Sequence, residues 1–412
     1  MKKIIVIAVL TAFIAGSAFA QSLNLDGYFN SGLGLVITDA DDFDPQLRAF
    51  GVDSESQGYR FRFNGSYQNE ERTAGARFRF QGQRDLTVSG YLSMPYIYGW
   101  VNLFENKLYM AAGLVDDSTY ATADWWYNDD QTEGLGVMVR AAPISGLSIG
   151  VGAFTINQMS GGSNNILAGG LPNFTNRAIN LEDAKYTFNL AYTMPDVFRF
   201  GVSYRTKNKA SWSGVNGDGD YQYNRGNFEY DQVIGEVRIL AVKDLTAVVV
   251  GIVDNLGDSD DQNITFSETF AYKVNDQINV GLNAVQFIYN RANDIDPSLL
   301  FNLWGSYAIG SIIPRLDLVY MMGGRSRLST TDGRYQRKAF QERESRSDVD
   351  NDYSVFSVRP SVRFNVGNRA HIEVGNMLNF DSFSGAEASS GYIGNGKERI
   401  SNVFYLDFRW NF

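Results

Sequence analysis

The chain closes on Phe404-Tyr405-Leu406-Asp407-Phe408-Arg409-Trp410-Asn411-Phe412. Phe404, Leu406, Phe408, Trp410 and Phe412 fall at every second position, with Asp407, Arg409 and Asn411 between them. A period of two belongs to a β-strand, whose successive side chains point to opposite faces. One face of this strand is therefore apolar and largely aromatic, while the other holds charge. Such a strand suits a wall with hydrocarbon on one side and water on the other, the alternation of a membrane-spanning β-barrel.

The same alternation recurs toward the N-terminus. Tyr59, Phe61 and Phe63 alternate with Arg60, Arg62 and Asn64, and Tyr186, Phe188, Leu190 and Tyr192 with Lys185, Thr187 and Asn189. Phe198, Phe200, Val202 and Tyr204 alternate with Arg199, Ser203 and Arg205, and Phe356, Val358, Val362 and Phe364 with Ser357, Arg359 and Arg363. A soluble sandwich also alternates, but it seldom sets aromatics against arginine in strand after strand. Short connections rich in turn residues, such as Asn69-Glu70-Glu71, Pro195-Asp196 and Gly367-Asn368, interleave with long polar ones near 39–56, 117–134, 158–183, 207–227, 324–352 and 380–399. Short turns at one end and long loops at the other are the topology of outer-membrane barrels. About eighteen strands fit this pattern, or sixteen if 245–253 and 264–272 are misread. Glu268 interrupts the aromatic face of the latter segment, and Pro360 cannot donate a ladder bond, so a bulge or local mismatch is expected there. At sixteen to eighteen strands the cylinder is too wide for side chains to fill.

The N-terminus reads as a secretory signal. Lys2 and Lys3 precede the apolar run Ile4–Ile14, and Ser17-Ala18-Phe19-Ala20 supplies a small-residue cleavage site. The apolar run is shorter than the roughly 20 residues a transmembrane helix needs. The expected organisation is a signal peptide over 1–20 and one barrel over 21–412. There is no cysteine, so no disulfide framework holds the fold. The net charge of −10, two units more negative without Lys2 and Lys3, argues against a nucleic-acid partner.

The terminal nonapeptide resembles the last strand of bacterial outer-membrane proteins, whose final aromatic is read by the barrel-assembly machinery. The resemblance gives Phe404, Leu406, Phe408, Trp410 and Phe412 that role. With the signal peptide and the early first strand, Leu23 to Ile37, the architecture is similar to the porin group. That resemblance implies an outer-membrane location, a lipid bilayer as surroundings, passive diffusion of small hydrophilic solutes or ions, and no cofactor. It allows either a homotrimer or an eighteen-strand monomer.

On the polar parity stand Arg60, Arg62, Arg77, Arg79, Arg199, Arg205, Arg315, Arg359, Arg363 and Arg409, against the fewer acids Asp26, Asp317, Glu373 and Asp407. The first four arginines share one predicted hairpin, and across it they should stand close together. Like charges so placed need water or anions between them, which predicts a basic patch on a channel wall. The connection over 116–134, the third on the long-loop side and following strand five, is acidic, with Trp125, Trp126 and Tyr127 among the acids. In general porins the third loop folds inward. That resemblance makes Asp124, Asp129, Asp130 and Glu133 candidates for a constriction facing the arginines; outward, solvated acids are the other reading. Segment 158–183, with apolar Ile166–Leu171, is a rival inward loop.

Tyr96, Tyr98 and Trp100 read either as an interfacial girdle or as a stacking track for sugars. The acid clusters Asp254/Asp258/Asp260/Asp261 and Asn216/Asp218/Asp220 lack EF-hand spacing, so no metal site is expected. Arginines over 325–346 either grip anionic surface groups or pair with Glu342, Glu344 and Asp348. An interfacial hydrolase would need a catalytic histidine, and the one histidine, His371, shares a parity with Glu373; no enzyme is expected. An adhesin or structural barrel with a closed lumen is the alternative to a channel.

Overall fold

The computed structural model describes residues 22–38, 45–49, 58–85, 91–94, 96–116, 133–154, 184–206, 231–254, 256, 262–289, 298–322, 352–384 and 399–412. The expected signal peptide, 1–20, and most of each long connection lie outside these residues. The described residues form strands β1 (Ser22–Thr38), β2 (Gln46–Ala49), β3 (Gly58–Gln68), β4 (Ala74–Asp85), β5 (Tyr91–Ser93), β6 (Ile97–Leu103), β7 (Leu108–Asp116), β8 (Glu133–Ala141), β9 (Leu147–Phe154) and β10 (Lys185–Met194). They continue as β11 (Phe198–Arg205), β12 (Gln232–Ile239), β13 (Leu245–Asp254), β14 (Asn263–Lys273), β15 (Ile278–Tyr289), β16 (Ser298–Tyr307), β17 (Ile312–Met322), β18 (Asp352–Val366), β19 (Ala370–Ser384) and β20 (Arg399–Asn411). All belong to one antiparallel sheet that closes on itself.

β2 and β3 lie in line along one edge of β1, and β5 and β6 along one edge of β4. Each pair is one wall strand interrupted in the middle, so the wall has eighteen strands. The seam is the pairing of β1 with β20, from Tyr28 opposite Asn411 to Thr38 opposite Ser401. Beyond it, Gly27 N–H donates to the Phe412 carbonyl at 3.1 Å and Phe412 N–H donates to the Gly27 carbonyl at 3.0 Å. The Phe412 ring stacks on Phe63 across β1. The aromatic end of the chain thus makes the last rung of the closure.

Burial is inverted relative to a soluble protein. In β10, Phe188, Leu190 and Tyr192 are exposed while Lys185, Thr187 and Asn189 are buried. Phe404, Leu406, Phe408, Trp410 and Phe412 are exposed in the same way, with Ser401 and Asp407 buried between strands of like pattern. Apolar side chains outside and polar ones inside are what a lipid-embedded barrel requires.

The described turns join strands at one end. Asn69 Oδ1 accepts from the N–H groups of Thr73 and Ala74, and Asn275 Oδ1 from those of Gln277 and Ile278. Asp196, Asp244, Gly310 and Gly367 take positive φ, the conformation that Asp and Gly tolerate in tight turns. At Pro360 the β18–β19 ladder skips two residues on each strand, and it resumes in the same register: Val358 faces Leu378 and Ser361 faces Gly375. The missing proline N–H opens a gap without inserting a residue, so the expected bulge is not formed.

Deleting Phe412 removes two seam hydrogen bonds, each worth about 1 kcal/mol in water and costlier to lose in lipid. The deletion should reduce the yield of heat-modifiable barrel on refolding into detergent, read on a semi-native gel. An undiminished yield, with an unchanged urea midpoint, would show that closure does not depend on this rung.

Candidate pore-lining site

The register places all ten arginines of the polar parity on the inward face. Their spacing differs from expectation on the β3–β4 hairpin. Arg60 stands opposite Gln83, Arg62 opposite Gln81, Arg79 opposite Asn64 and Arg77 opposite Ser66. No two arginines are paired directly, because the Asn69 turn sets a register that interleaves each with an amide or a hydroxyl. Arg62 Nε donates to Gln81 Oε1 at 3.2 Å, and Arg60 Nη2 reaches the same oxygen at 3.5 Å. Two guanidinium groups therefore share one neutral acceptor. Arg79 Nε donates to Asn64 Oδ1 at 2.8 Å, and Asn64 Nδ2 donates onward to Asp26 Oδ1 at 2.6 Å.

Aromatic rings form the bed on which these cations lie. Tyr28, opposite Arg62 on β1, has the Arg62 guanidinium 5.6 Å and the Arg409 guanidinium 4.5 Å from its ring centroid. Arg79 lies over Tyr96 at 4.7 Å, Arg140 over Tyr109 at 4.6 Å and Arg315 over Trp304 at 4.5 Å. Arg77 Nη1 donates to the Tyr98 hydroxyl at 3.4 Å. The ring contacts hold each guanidinium against the wall by cation–π attraction. Tyr96, Tyr98 and Trp100 are thus inward residues, with Trp100 stacked on Tyr109 and Tyr98 packed with Met138 and Phe154. They do not form an interfacial girdle, because the lipid-facing positions of β6 are taken by Ile97, Val101 and Leu103.

Other inward arginines are bound to carboxylates. Arg363 donates Nε and Nη2 to Glu373 Oε2 at 3.0 and 2.9 Å, and the Tyr405 hydroxyl donates to Glu373 Oε1 at 3.0 Å. Arg315 grips both oxygens of Asp317 at 2.8 and 2.7 Å, and Asn302 adds a bond to Asp317. Glu236, fully buried, pairs with Arg199 and with Arg238. Arg359 donates to Ser357, which bonds Asn379, which donates to Ser401. Arg205 is buried opposite Thr187 and Gln232. Among the described residues Arg60 and Arg140, by contrast, meet no carboxylate. The wall between β11 and β17 also carries inward apolar groups, Ile234, Val248, Val250, Ile252, Val285, Leu300 and Val319, all buried. Inward arginines thus occur on both arcs, and these buried apolar groups gather on the arc of β12–β17.

Sequence reasoning passed over Arg140, Glu236 and Arg238, whose polar parity was available in β8 and β12. Of the constriction candidates, Asp124, Asp129 and Asp130 lie outside the described residues, and Glu133 opens β8 opposite Asp116. His371 faces Arg409 and Asn365 on the inner wall. Among the described residues no cluster of three or more His, Asp or Glu could hold a metal. Asp258, Asp260, Asp261 and 216–220 lie outside them, as do the 325–346 arginines and 166–171.

No protein-family model and no curated protein sequence matches this chain. Solved structures do. Pseudomonas aeruginosa OccK2 (OpdF), solved in complex with glucuronate, aligns with a TM-score of 0.53 at 10% identity over 94% of this chain and 98% of its own. Pseudomonas aeruginosa OccD3 (OpdP) aligns with a TM-score of 0.52 at 12% identity over 96% and 92%. At such identities the likeness is one of fold, and it extends over nearly the whole of each chain. With the inverted, eighteen-strand wall sealed between first and last strands described above, that likeness gives the conclusion: the chain has the porin-like outer-membrane β-barrel fold.

Proposed function

We propose that the chain is a passive outer-membrane channel for small hydrophilic solutes, and that its lumen favours anions, carboxylates in particular. The observation that carries the anion preference is the placing of Arg60 and Arg62 side by side on the inner wall, both reaching the amide oxygen of Gln81. Like charges that close repel by about 1 kcal/mol in water and by more where water is excluded. A mobile anion relieves that repulsion, and a carboxylate matches the planar guanidinium fork. The relative solved with glucuronate, a carboxylate sugar, supports the same solute class. The Tyr28, Tyr96 and Tyr109 rings beside the arginines supply apolar faces for the carbon skeleton. The channel reading involves no catalytic step.

The remaining partners belong to the same proposal. A signal peptide over 1–20 delivers the barrel of 21–412 across the inner membrane. The outward row ending in Phe412 supports recognition by the barrel-assembly machinery. The acids Asp124, Asp129, Asp130 and Glu133 are candidates for a constriction opposite the arginines. A second reading, an adhesin or structural barrel with a closed lumen, draws on the complete burial of the inward side chains Asn30, Asn302 and Asp407.

Planar-bilayer recording across a KCl gradient separates these readings. The refolded chain should give discrete steps with an anion-selective reversal potential. Arg60→Ala with Arg62→Ala should lower the anion-to-cation permeability ratio about fivefold, since charges in a confined channel concentrate counter-ions by tenfold or more. A correctly folded barrel without steps would favour the closed lumen, and an unmoved reversal potential would take the arginine pair out of the path. Liposome swelling offers a second check. A small carboxylate should enter faster than a neutral sugar of equal size, and the double variant should erase the difference. His371→Ala should leave both measurements unchanged.

A further inference from the structure

Away from the strand ends, the described outer wall carries one acidic or basic side chain, Glu268. It sits at the middle of the eleven-residue β14 and shares the outward row with Phe266, Phe270 and Tyr272. Val249 on β13 and Ala284 on β15 stand opposite it. Gln286, on the same outward row of β15 as Leu282 and Ala284, donates Nε2–H to Glu268 Oε1 at 3.2 Å. The other carboxyl oxygen is enclosed and has no partner. Gln286 makes no further hydrogen bond, so one amide N–H and the amide carbonyl are left at mid-wall.

Hydrocarbon offers nothing to satisfy those groups, and an amide left unpaired there costs several kcal/mol. The sheet does not need them, because the ladder is complete at both positions. An amide with a spare donor and a spare acceptor is its own complement. We propose that the outer face of β13–β15 docks a second copy of this chain, through reciprocal hydrogen bonds between the two Gln286 amides. Glu268 is the positioning residue: by accepting one N–H it turns the rest of the amide outward. A two-fold axis along the membrane normal keeps both copies at one depth, so Gln286 meets its own counterpart. Ala284, only 5% exposed, leaves low ground beside the contact, and Val249 and Leu282 supply apolar surface around it.

A three-fold ring fits less well. It would press this face against a different face of the next copy. The other mid-wall amides, Asn376 on β19 and Asn402 on β20, hold their carbonyl oxygens enclosed within the wall instead of presenting them. The homotrimer allowed by the porin resemblance therefore gives way to a two-fold pair. The proposal rests on the barrel fold and not on what passes through the lumen.

The chain has no cysteine, so a single Leu282→Cys change labels the face cleanly. Donor- and acceptor-labelled protein in phosphatidylcholine vesicles, diluted with lipid, would report association by energy transfer. Wild-type wall should associate, and Gln286→Leu should weaken association about tenfold, the loss expected for two hydrogen bonds in a membrane. Glu268→Gln, which can still accept from Gln286, should retain it. Heat-modifiability confirms that each variant is folded, and the conductance of Gln286→Leu should equal wild type, which keeps this test apart from the channel reading. Monomers at every dilution, or equal association with Gln286→Leu, would overturn the proposal. So would oxidative cross-linking no stronger at Leu282→Cys than at Leu406→Cys on β20.

Discussion

Everything in this barrel depends on the backbone hydrogen bonds between its first and last strands. In hydrocarbon an open sheet edge leaves a row of unpaired amides, each costing several kcal/mol, so a sheet in a membrane must close. Here β20 serves both neighbours along nearly its whole length, with β19 from Arg399 to Trp410 and β1 from Ser401 to Asn411. The register of that seam fixes which residues share a level. It puts Arg409 opposite Asn30 on one side and His371 on the other, and it brings Arg409 onto the Tyr28 ring that Arg62 also covers. The terminal residues of the chain thus complete part of the inner wall as well as the closure.

The inner wall distributes its positive charge in two ways. Around β11–β12 and β16–β19, Arg199, Arg238, Arg315 and Arg363 pair with the buried carboxylates Glu236, Asp317 and Glu373. Burying an ion pair stabilises little in itself, but removing one partner leaves a costly lone charge, so these groups act as fixed cross-braces. On β3–β8, Arg60 and Arg62 reach the amide of Gln81, Arg79 meets the Asn64 amide and the Tyr96 ring, Arg77 reaches the Tyr98 hydroxyl and Arg140 lies over the Tyr109 ring. Contacts of this second kind position a guanidinium along the wall without themselves neutralising it.

Much of this was legible in the sequence, because period-two patterning and turn chemistry are local. The segments centred near 62, 189, 202 and 360 were each recognisable from their own alternation, and each is a wall strand. The breaks within β2/β3 and β5/β6 were not, since nothing in Tyr91–Ser93 distinguishes a wall strand interrupted at its middle. Partnerships were less legible still. Whether Arg199 is neutralised depends on Glu236 lying across β11–β12, and the chain between those strands is too long to fix their register from sequence. The β3–β4 turn is short, yet a shift of two residues in it would set Arg62 opposite Arg79 in place of Gln81. The identity of the turn residue Asn69, which binds the N–H groups of Thr73 and Ala74, settles that shift.

Inverted patterning also changes what an irregularity means. In a soluble core, a glutamate within an aromatic row would be a buried charge and the strand assignment would be suspect. On this wall the same row faces lipid, and Glu268 keeps the alternation intact: Thr265, Ser267 and Thr269 still point inward beside it. The exception is therefore chemical and not geometric. A polar pair at the middle of an apolar wall lowers the stability of the isolated barrel, and nothing in the ladder compensates for it. The inner wall shows how this fold treats polar groups it needs for itself, with Glu373 held by Arg363 and Tyr405, and Asp317 by Arg315 and Asn302. Glu268 and Gln286 have only each other, on the one surface where no water can make up the difference, and that contrast makes the outer face of β14–β15 a place for contact.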